Sequence, residues 1–271
     1  MPTATVRGIE VHYRRSGAGP RLLLITGTGS SLRESAVLLE PFAEVFDLLA
    51  YDQRGLGETT VPDRPPTMAD YAADAAALAD SLGWNSFRVV GISFGGMVAQ
   101  ELAVTWPERV ERLALVCTSP GGTGADGAAL SSYPLHELDD LPLEERVRVG
   151  REILDRRFTD DWLADHPSDR FIADVFEQRV RAPRTDEQRR GERLQLEARR
   201  HHDVLDRLPA ISCPTLVAAG RYDATAPPAN SEAIAARVPG AELRLYEGGH
   251  VFFFQDPTAL PDIVGFLSGA P

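Results

Sequence analysis

The sequence predicts an α/β fold: a mostly parallel central sheet of about eight strands flanked by helices, interrupted by a helical insertion. Three observations carry this expectation. Short apolar runs recur with helical-period stretches between them, a glycine-flanked serine sits at one strand-to-helix junction, and the alternation stops after Ser119 to resume at Pro214. Strands buried on both faces read as such continuous apolar runs, because helices cover the sheet from either side.

The elements follow in order. Ala4 to Arg15 alternates apolar and polar residues around Gly8, the pattern of a two-stranded hairpin. Arg21 to Ile25 is a short apolar run ending in Thr26-Gly27-Thr28-Gly29. The same signature returns at Phe46 to Tyr51, Phe87 to Ile92, Val110 to Cys117, Pro214 to Ala219 and Ala241 to Tyr246. Thr67 to Leu82 sets Tyr71, Ala75, Leu78 and Leu82 at helical spacing, with Thr67 as cap and Gly83 as stop. Phe94 to Trp106 is a second helix, closed by Pro107, whereas Val61 to Pro66 is a proline-rich connector. Gly121, Gly122, Gly124 and Gly127 read as a loose linker, and Leu130 to Leu208 is helical and charged. The expected division is a core of residues 1–120 and 209–271 with a helical cap at 121–208, a single domain carrying an insertion.

Composition narrows the chemistry. The chain has 271 residues, 43% of them hydrophobic, enough for one sizeable core. A net charge of −12 disfavours nucleic acid, whose phosphates need cationic surface. All 28 basic residues are arginine, so lysine Schiff-base chemistry, a pyridoxal-phosphate anchor and a P-loop lysine are excluded together. Charges at Arg7, Glu10, Arg14 and Arg15 leave Met1 to Ser16 without a signal-peptide or membrane-anchor run, and a cytoplasmic protein without a membrane partner is expected. Cys117 and Cys213 form no C-x-x-C pair and read as buried structural residues. No metal or other cofactor is implied. His201-His202-Asp203 is a poor ligand set, since adjacent helical residues point apart.

The strongest local signal is Gly91-Ile92-Ser93-Phe94-Gly95-Gly96, between an apolar strand and a helix. Ser93 there occupies a tight turn that neighbouring side chains would obstruct, with its hydroxyl at a helix N-terminus that favours a developing anion. A serine nucleophile needs a base, and the base an orienting acid. His250 follows the last strand through Glu247-Gly248-Gly249, at the sheet edge where open α/β sheets gather ligands. For His12, His136, His166, His201 and His202 a solvated or packing role is the default. Asp223 in Gly220-Arg221-Tyr222-Asp223 directly follows a strand, whereas Asp256 precedes Pro257 at an ordinary helix start. The expected oxyanion donors are the N–H groups of Phe94 and Thr28.

Together, Gly27, the segment Tyr51-Asp52-Gln53-Arg54-Gly55-Leu56-Gly57, the Ser93 turn, the Asp223 turn and the His250 loop resemble the α/β-hydrolase superfamily over essentially the whole chain. Within it the chain looks most like small esterases and lactonases of the 3-oxoadipate enol-lactonase and methyl-ester esterase kinds. Thr26 stands where the family often has histidine before glycine. Relatives that open epoxides or displace halide carry aspartate at the turn, so Ser93 argues against both chemistries. The resemblance implies that the insertion is a lid, with Gly27, Phe94, Tyr133, Phe158, Trp162, Val251 and Phe252 as pocket candidates. From Arg179 to Arg200 eight arginines stand against four acids, either a solvated face laced with ion pairs or guidance for an anionic substrate.

The leading expectation is hydrolysis of a small carboxylic ester or lactone through an acyl-enzyme on Ser93. Perhydrolysis, carbon–carbon bond hydrolysis or a lyase step would use the same residues, and a ligand-binding receptor on a hydrolase scaffold is the non-enzymatic alternative.

Overall fold

The computed structural model describes residues 2–124 and 127–269. Its strands are β1 (Thr3–Val6), β2 (Ile9–Ser16), β3 (Arg21–Ile25), β4 (Asp47–Tyr51), β5 (Phe87–Ile92), β6 (Val110–Val116), β7 (Thr215–Gly220) and β8 (Glu242–Tyr246). Helices α1 (Ala36–Ala43), α2 (Met68–Ser81) and α3 (Phe94–Thr105) lie among the first six strands. Helices α4 (Leu143–Leu154), α5 (Asp160–Asp165), α6 (Pro167–Arg181) and α7 (Asp186–Arg200) fall between β6 and β7, and α8 (Pro228–Arg237), α9 (Phe252–Gln255) and α10 (Ala259–Ser268) complete the chain.

The strands form one sheet in the order β1-β2-β4-β3-β5-β6-β7-β8. β2 pairs antiparallel with both β1 and β4, and every other neighbouring pair is parallel. Alternation along the strands separates two cores. Leu23, Ile25, Leu49 and Val89 face α2 and α3, while Leu22, Leu24, Leu48 and Val90 face α1 and α10. With both faces covered, all six residues of β5 and all six of β7 are buried.

The topology decides where a site can form. After β3 the chain crosses to β4 on one side, and β5 then returns to pair on the other side of β3. The loops leaving β3 and β5 therefore diverge and open a crevice at the carboxyl ends of those strands.

Helix α2 begins where its sequence signal lies. The Thr67 side chain accepts from the Asp70 N–H, and the Asp70 carboxylate accepts from the Thr67 N–H. The glycine segment differs from the expected loose linker. Gly121 bridges Asp203, so the chain entering the insertion pairs with the chain leaving it. A Cβ on Gly121 would lie 1.9 Å from the His202 carbonyl oxygen. Ala125 and Asp126 lie outside the described residues. Helices α4 to α6 share a small apolar cluster of Leu154, Phe158, Leu163 and Ala173, separate from the two cores of the sheet.

Both cysteines are buried and unbonded. His12, left by the sequence to a solvated or packing role, is the packed kind: it is buried, with Nδ1 2.7 Å from Asp52 Oδ2. Among the described residues no helix is long and apolar enough to cross a membrane.

His202 is buried, and burial, reinforced by Arg207 and opposed by the Ser119 backbone, pushes its pKa down from 6.5 to about 3. Unfolding frees the ring to take up a proton, so its contribution to stability is intact above pH 6.5 and is lost as pH falls toward 3. The loss is on the order of 4 kcal/mol at its full extent. Urea unfolding at pH 7, 5 and 4 is expected to show a steeper loss for wild type than for His202→Leu, with the difference confined to the acid side.

Candidate active site

Ser93 joins β5 to α3 with φ 55° and ψ −117°, a backbone geometry that is strained for a residue with a side chain. The surroundings hold it there. Its N–H donates to the Val116 carbonyl at 2.8 Å, and the Thr118 hydroxyl donates to its carbonyl at 2.7 Å. The flanking glycines are steric necessities. A Cβ on Gly91 would lie 2.4 Å from the Gly95 carbonyl oxygen, and one on Gly95 would lie 2.0 Å from that of Ile25.

His250 lies on the loop after β8, its side chain 13% exposed, and its Nε2 is 2.9 Å from Ser93 Oγ. Its Nδ1 is 2.8 Å from Asp223 Oδ2. Because a carboxylate only accepts, Nδ1 carries the ring proton and Nε2 is left to accept from the serine hydroxyl. Asp223 is fully buried, and its other oxygen accepts from the Ala226 N–H at 2.8 Å. Three residues 27 to 157 positions apart in sequence thus form one hydrogen-bonded chain.

The loops bearing the acid and the base are tied to each other and to the end of α4. The Tyr222 N–H donates to Gly248, the Ala224 N–H to Ile153, and the His250 N–H to Leu154 at 2.6 Å. A Cβ on Gly249 would lie 2.1 Å from the Leu154 carbonyl oxygen, which explains the glycine. Asp155, fully buried, anchors this junction by pairing with Arg157 at 2.7 Å and accepting from Gln255 at 2.9 Å. The Arg157 guanidinium also covers the Tyr222 ring, 4.1 Å from its centroid. Sequence reasoning missed Asp155 because nothing in a charged helical segment marks which acid is buried.

On the other side of the serine, Gly27 packs so closely that a Cβ would lie 3.4 Å from Ser93 Cβ. The Phe94 N–H occupies the first position of α3, where the helix offers it no carbonyl. The Thr28 N–H makes no hydrogen bond among the described residues. Two glutamines hold this loop. Buried Gln53 donates to the Thr26 carbonyl at 2.8 Å, and buried Gln195 of α7 accepts from the Gly29 N–H at 2.8 Å. Asp52 steadies the next turn by accepting from the Leu32 N–H. The Tyr51–Gly57 segment thereby acquires a physical role that its sequence did not disclose.

The pocket candidates all take part in packing or backbone contacts. Phe252 is fully buried and stacked on Tyr246 in the sheet's core. Phe158 and Trp162 belong to the insertion's own cluster, with Trp162 stacked on His166, and Val251 packs between two clusters. Phe94 is buried edge-on against Tyr71. These aromatic and apolar side chains serve packing. Tyr133 ties its N–H to Thr225, and its neighbours Ser132 and Pro134 line a cavity of about 390 Å³ in its place.

An eight-stranded, mostly parallel sheet with a Ser–His–Asp chain at its carboxyl edge defines an α/β hydrolase. The chain belongs to this family: the alpha/beta hydrolase fold family matches residues 20–257. Among individual proteins, it is 28% identical to a putative carbamate hydrolase, RutD, of Caulobacter segnis over the full length of both chains. It is 29% identical to a poly(3-hydroxyalkanoate) depolymerase of Ectopseudomonas oleovorans, covering 91% of this chain and 83% of that one. Of solved structures, the enol-lactonase of Burkholderia xenovorans superposes with a TM-score of 0.78 at 25% identity, covering 99% of this chain and all of the other.

Two substitutions test the framework of the site. Asp155→Ala removes the buried carboxylate that Arg157 and Gln255 share, leaving Arg157 only Glu247 at 3.9 Å, and is expected to lower stability by about 3 kcal/mol, read by urea unfolding. Gly95→Ala forces a side chain onto the Ile25 carbonyl and is expected to cost about 3 kcal/mol. Wild-type midpoints in either variant would contradict the packing described.

Proposed function

We propose that the protein is a serine hydrolase that cleaves a small carboxylic ester or lactone through an acyl-enzyme on Ser93. The observation that carries this reading is the pair of contacts at His250, 2.9 Å to the serine hydroxyl and 2.8 Å to Asp223. In this mechanism Ser93 Oγ attacks the substrate carbonyl carbon while its proton passes to His250 Nε2. Asp223 holds the ring and stabilises the imidazolium. The N–H groups of Phe94 and Thr28 receive the oxyanion. Collapse of the intermediate breaks the bond to the leaving oxygen, which takes the proton from His250. Water then attacks the acyl carbon, giving its proton to His250, and the acid leaves as the proton returns to Ser93. Residues 121–208 act as the lid, attached to the chemistry through Leu154, Asp155 and Gln195.

Full-length resemblance to putative carbamate hydrolases favours a second reading, in which the same residues attack a carbamate carbonyl. The ratio of kcat/KM for nitrophenyl butyrate and a nitrophenyl carbamate separates the two, with ester preference expected.

Ser93→Ala and His250→Ala are each expected to lower nitrophenyl-ester turnover on the order of 10⁴-fold or more, and Asp223→Asn on the order of 10⁴-fold. A Ser93→Ala rate equal to wild type would remove this serine from the mechanism.

A further inference from the structure

The arginine-rich stretch from 179 to 200 is not uniform. Arg179 approaches Glu34, Arg181 pairs with Glu144 and Glu177, Arg184 with Glu192, Arg189 with Asp186, Arg190 with Asp63, and Arg200 with Glu197. Arg193 is exposed to water. Arg199 is the exception: it is half-buried and pairs with no carboxylate among the described residues. Burial lowers its pKa only to about 10, so the guanidinium remains charged at neutral pH. A half-buried cation without a counter-charge is less well solvated than a surface one, and such groups gather at functional sites.

Arg199 lines the cavity of about 390 Å³, together with Ser131, Ser132, His136 and His202. No carboxylate is among the residues that line it. The hydroxyls of Ser131 and Ser132 and the ring of His136 are bonded to no other group among the described residues, so polar groups free to meet a ligand accompany the unpaired guanidinium. Neither Ser93 nor His250 lines the cavity, and its nearest tie to the Ser93 turn is along α3. Met97 in its wall follows Ser93 by one turn of α3, about 5.4 Å of rise, and donates its N–H to the Ser93 carbonyl.

We propose that this cavity is a carboxylate subsite, and that the ester or lactone cleaved at Ser93 carries a free carboxylate that pairs with Arg199. The second half of this statement rests on the hydrolase reading above; the first does not. A planar guanidinium matches a carboxylate in bidentate fashion. Arg200 also lines the cavity and is held by Glu197 only in an exposed pair, so phosphate is the competing ligand that the binding measurements below must separate from a carboxylate. On a chain with net charge −12 this local reversal of sign is what admits an anionic substrate.

Two measurements test it. Binding of glutarate and adipate to Ser93→Ala protein, by calorimetry, requires no turnover. Adding Arg199→Met is expected to weaken binding at least tenfold, and Arg199→Lys to restore part of it, with inorganic phosphate and the neutral diamides binding more weakly than the dicarboxylates. With Ser93 intact, kcat/KM for mono-nitrophenyl glutarate is expected to exceed that for its methyl ester at least tenfold. Arg199→Met should reduce that ratio mainly through KM, whereas Arg193→Met should leave it within twofold. Arg199→Met is also expected to raise Tm, since it removes an uncompensated charge, whereas loss of a merely structural arginine would lower it. Absent dicarboxylate binding, binding indifferent to Arg199, tighter binding of phosphate, or equal turnover of the acid and its methyl ester would overturn the proposal. Dicarboxylate binding through Arg199 without turnover of any ester would sink the hydrolase reading and leave the subsite standing.

Discussion

The His250 ring reaches Ser93 because three distant stretches of chain meet in one backbone hydrogen-bond web. Residues 153–155 end α4, residues 220–225 carry the acid, and residues 248–250 carry the base, and each binds the others through main-chain groups. Only glycine fits at 249, where a Cβ would strike the Leu154 carbonyl, and only glycine fits at 220, where it would strike the Gly249 carbonyl. The imidazole is therefore oriented by peptide geometry as well as by Asp223. Loosening any of the three stretches would let the ring swing, since a single pair of hydrogen bonds at the ring nitrogens does not fix its position in depth.

The opposite wall depends on the switch in strand direction between β3 and β5. Diverging loops open the crevice, but they would be free to wander without the two glutamines at their back. Gln53 comes from the core and Gln195 from the insertion, and both are fully buried. The helices between β6 and β7 thus contact the serine's surroundings at two places, through Leu154 near the base and through Gln195 near the loop after β3. Their placement belongs to the site as much as to the surface.

Proteins of this fold that share the same serine and histidine differ in what they accept, so the chemistry of this chain turns on its cavity. The apolar side chains nearest the nucleophile are consumed by packing: Phe94 against Tyr71, Phe252 against Tyr246. The cavity proposed above as a subsite mixes apolar wall, from Met97 and Pro134, with hydroxyls and imidazoles around Arg199.

The sequence by itself determined the strand order along the chain, the cover of helices and the turn at Ser93. These follow from local rules: apolar runs bury on two faces, Thr67 caps a helix, and glycines permit a tight junction. Asp223 and His250 were legible as candidates because each follows a strand at the sheet's carboxyl edge. Only the tertiary structure decided which polar groups lose water. Asp155, Gln195 and Arg199 sit in helical stretches crowded with similar residues, and their burial depends on how the insertion folds back across the sheet. The packing of Phe158 and Trp162 was out of the sequence's reach for the same reason, since whether helices in an insertion make a small core of their own depends on how they fold together. Periodicity records which face of an element is apolar, whereas contact between elements far apart in sequence sets the surroundings of each charge.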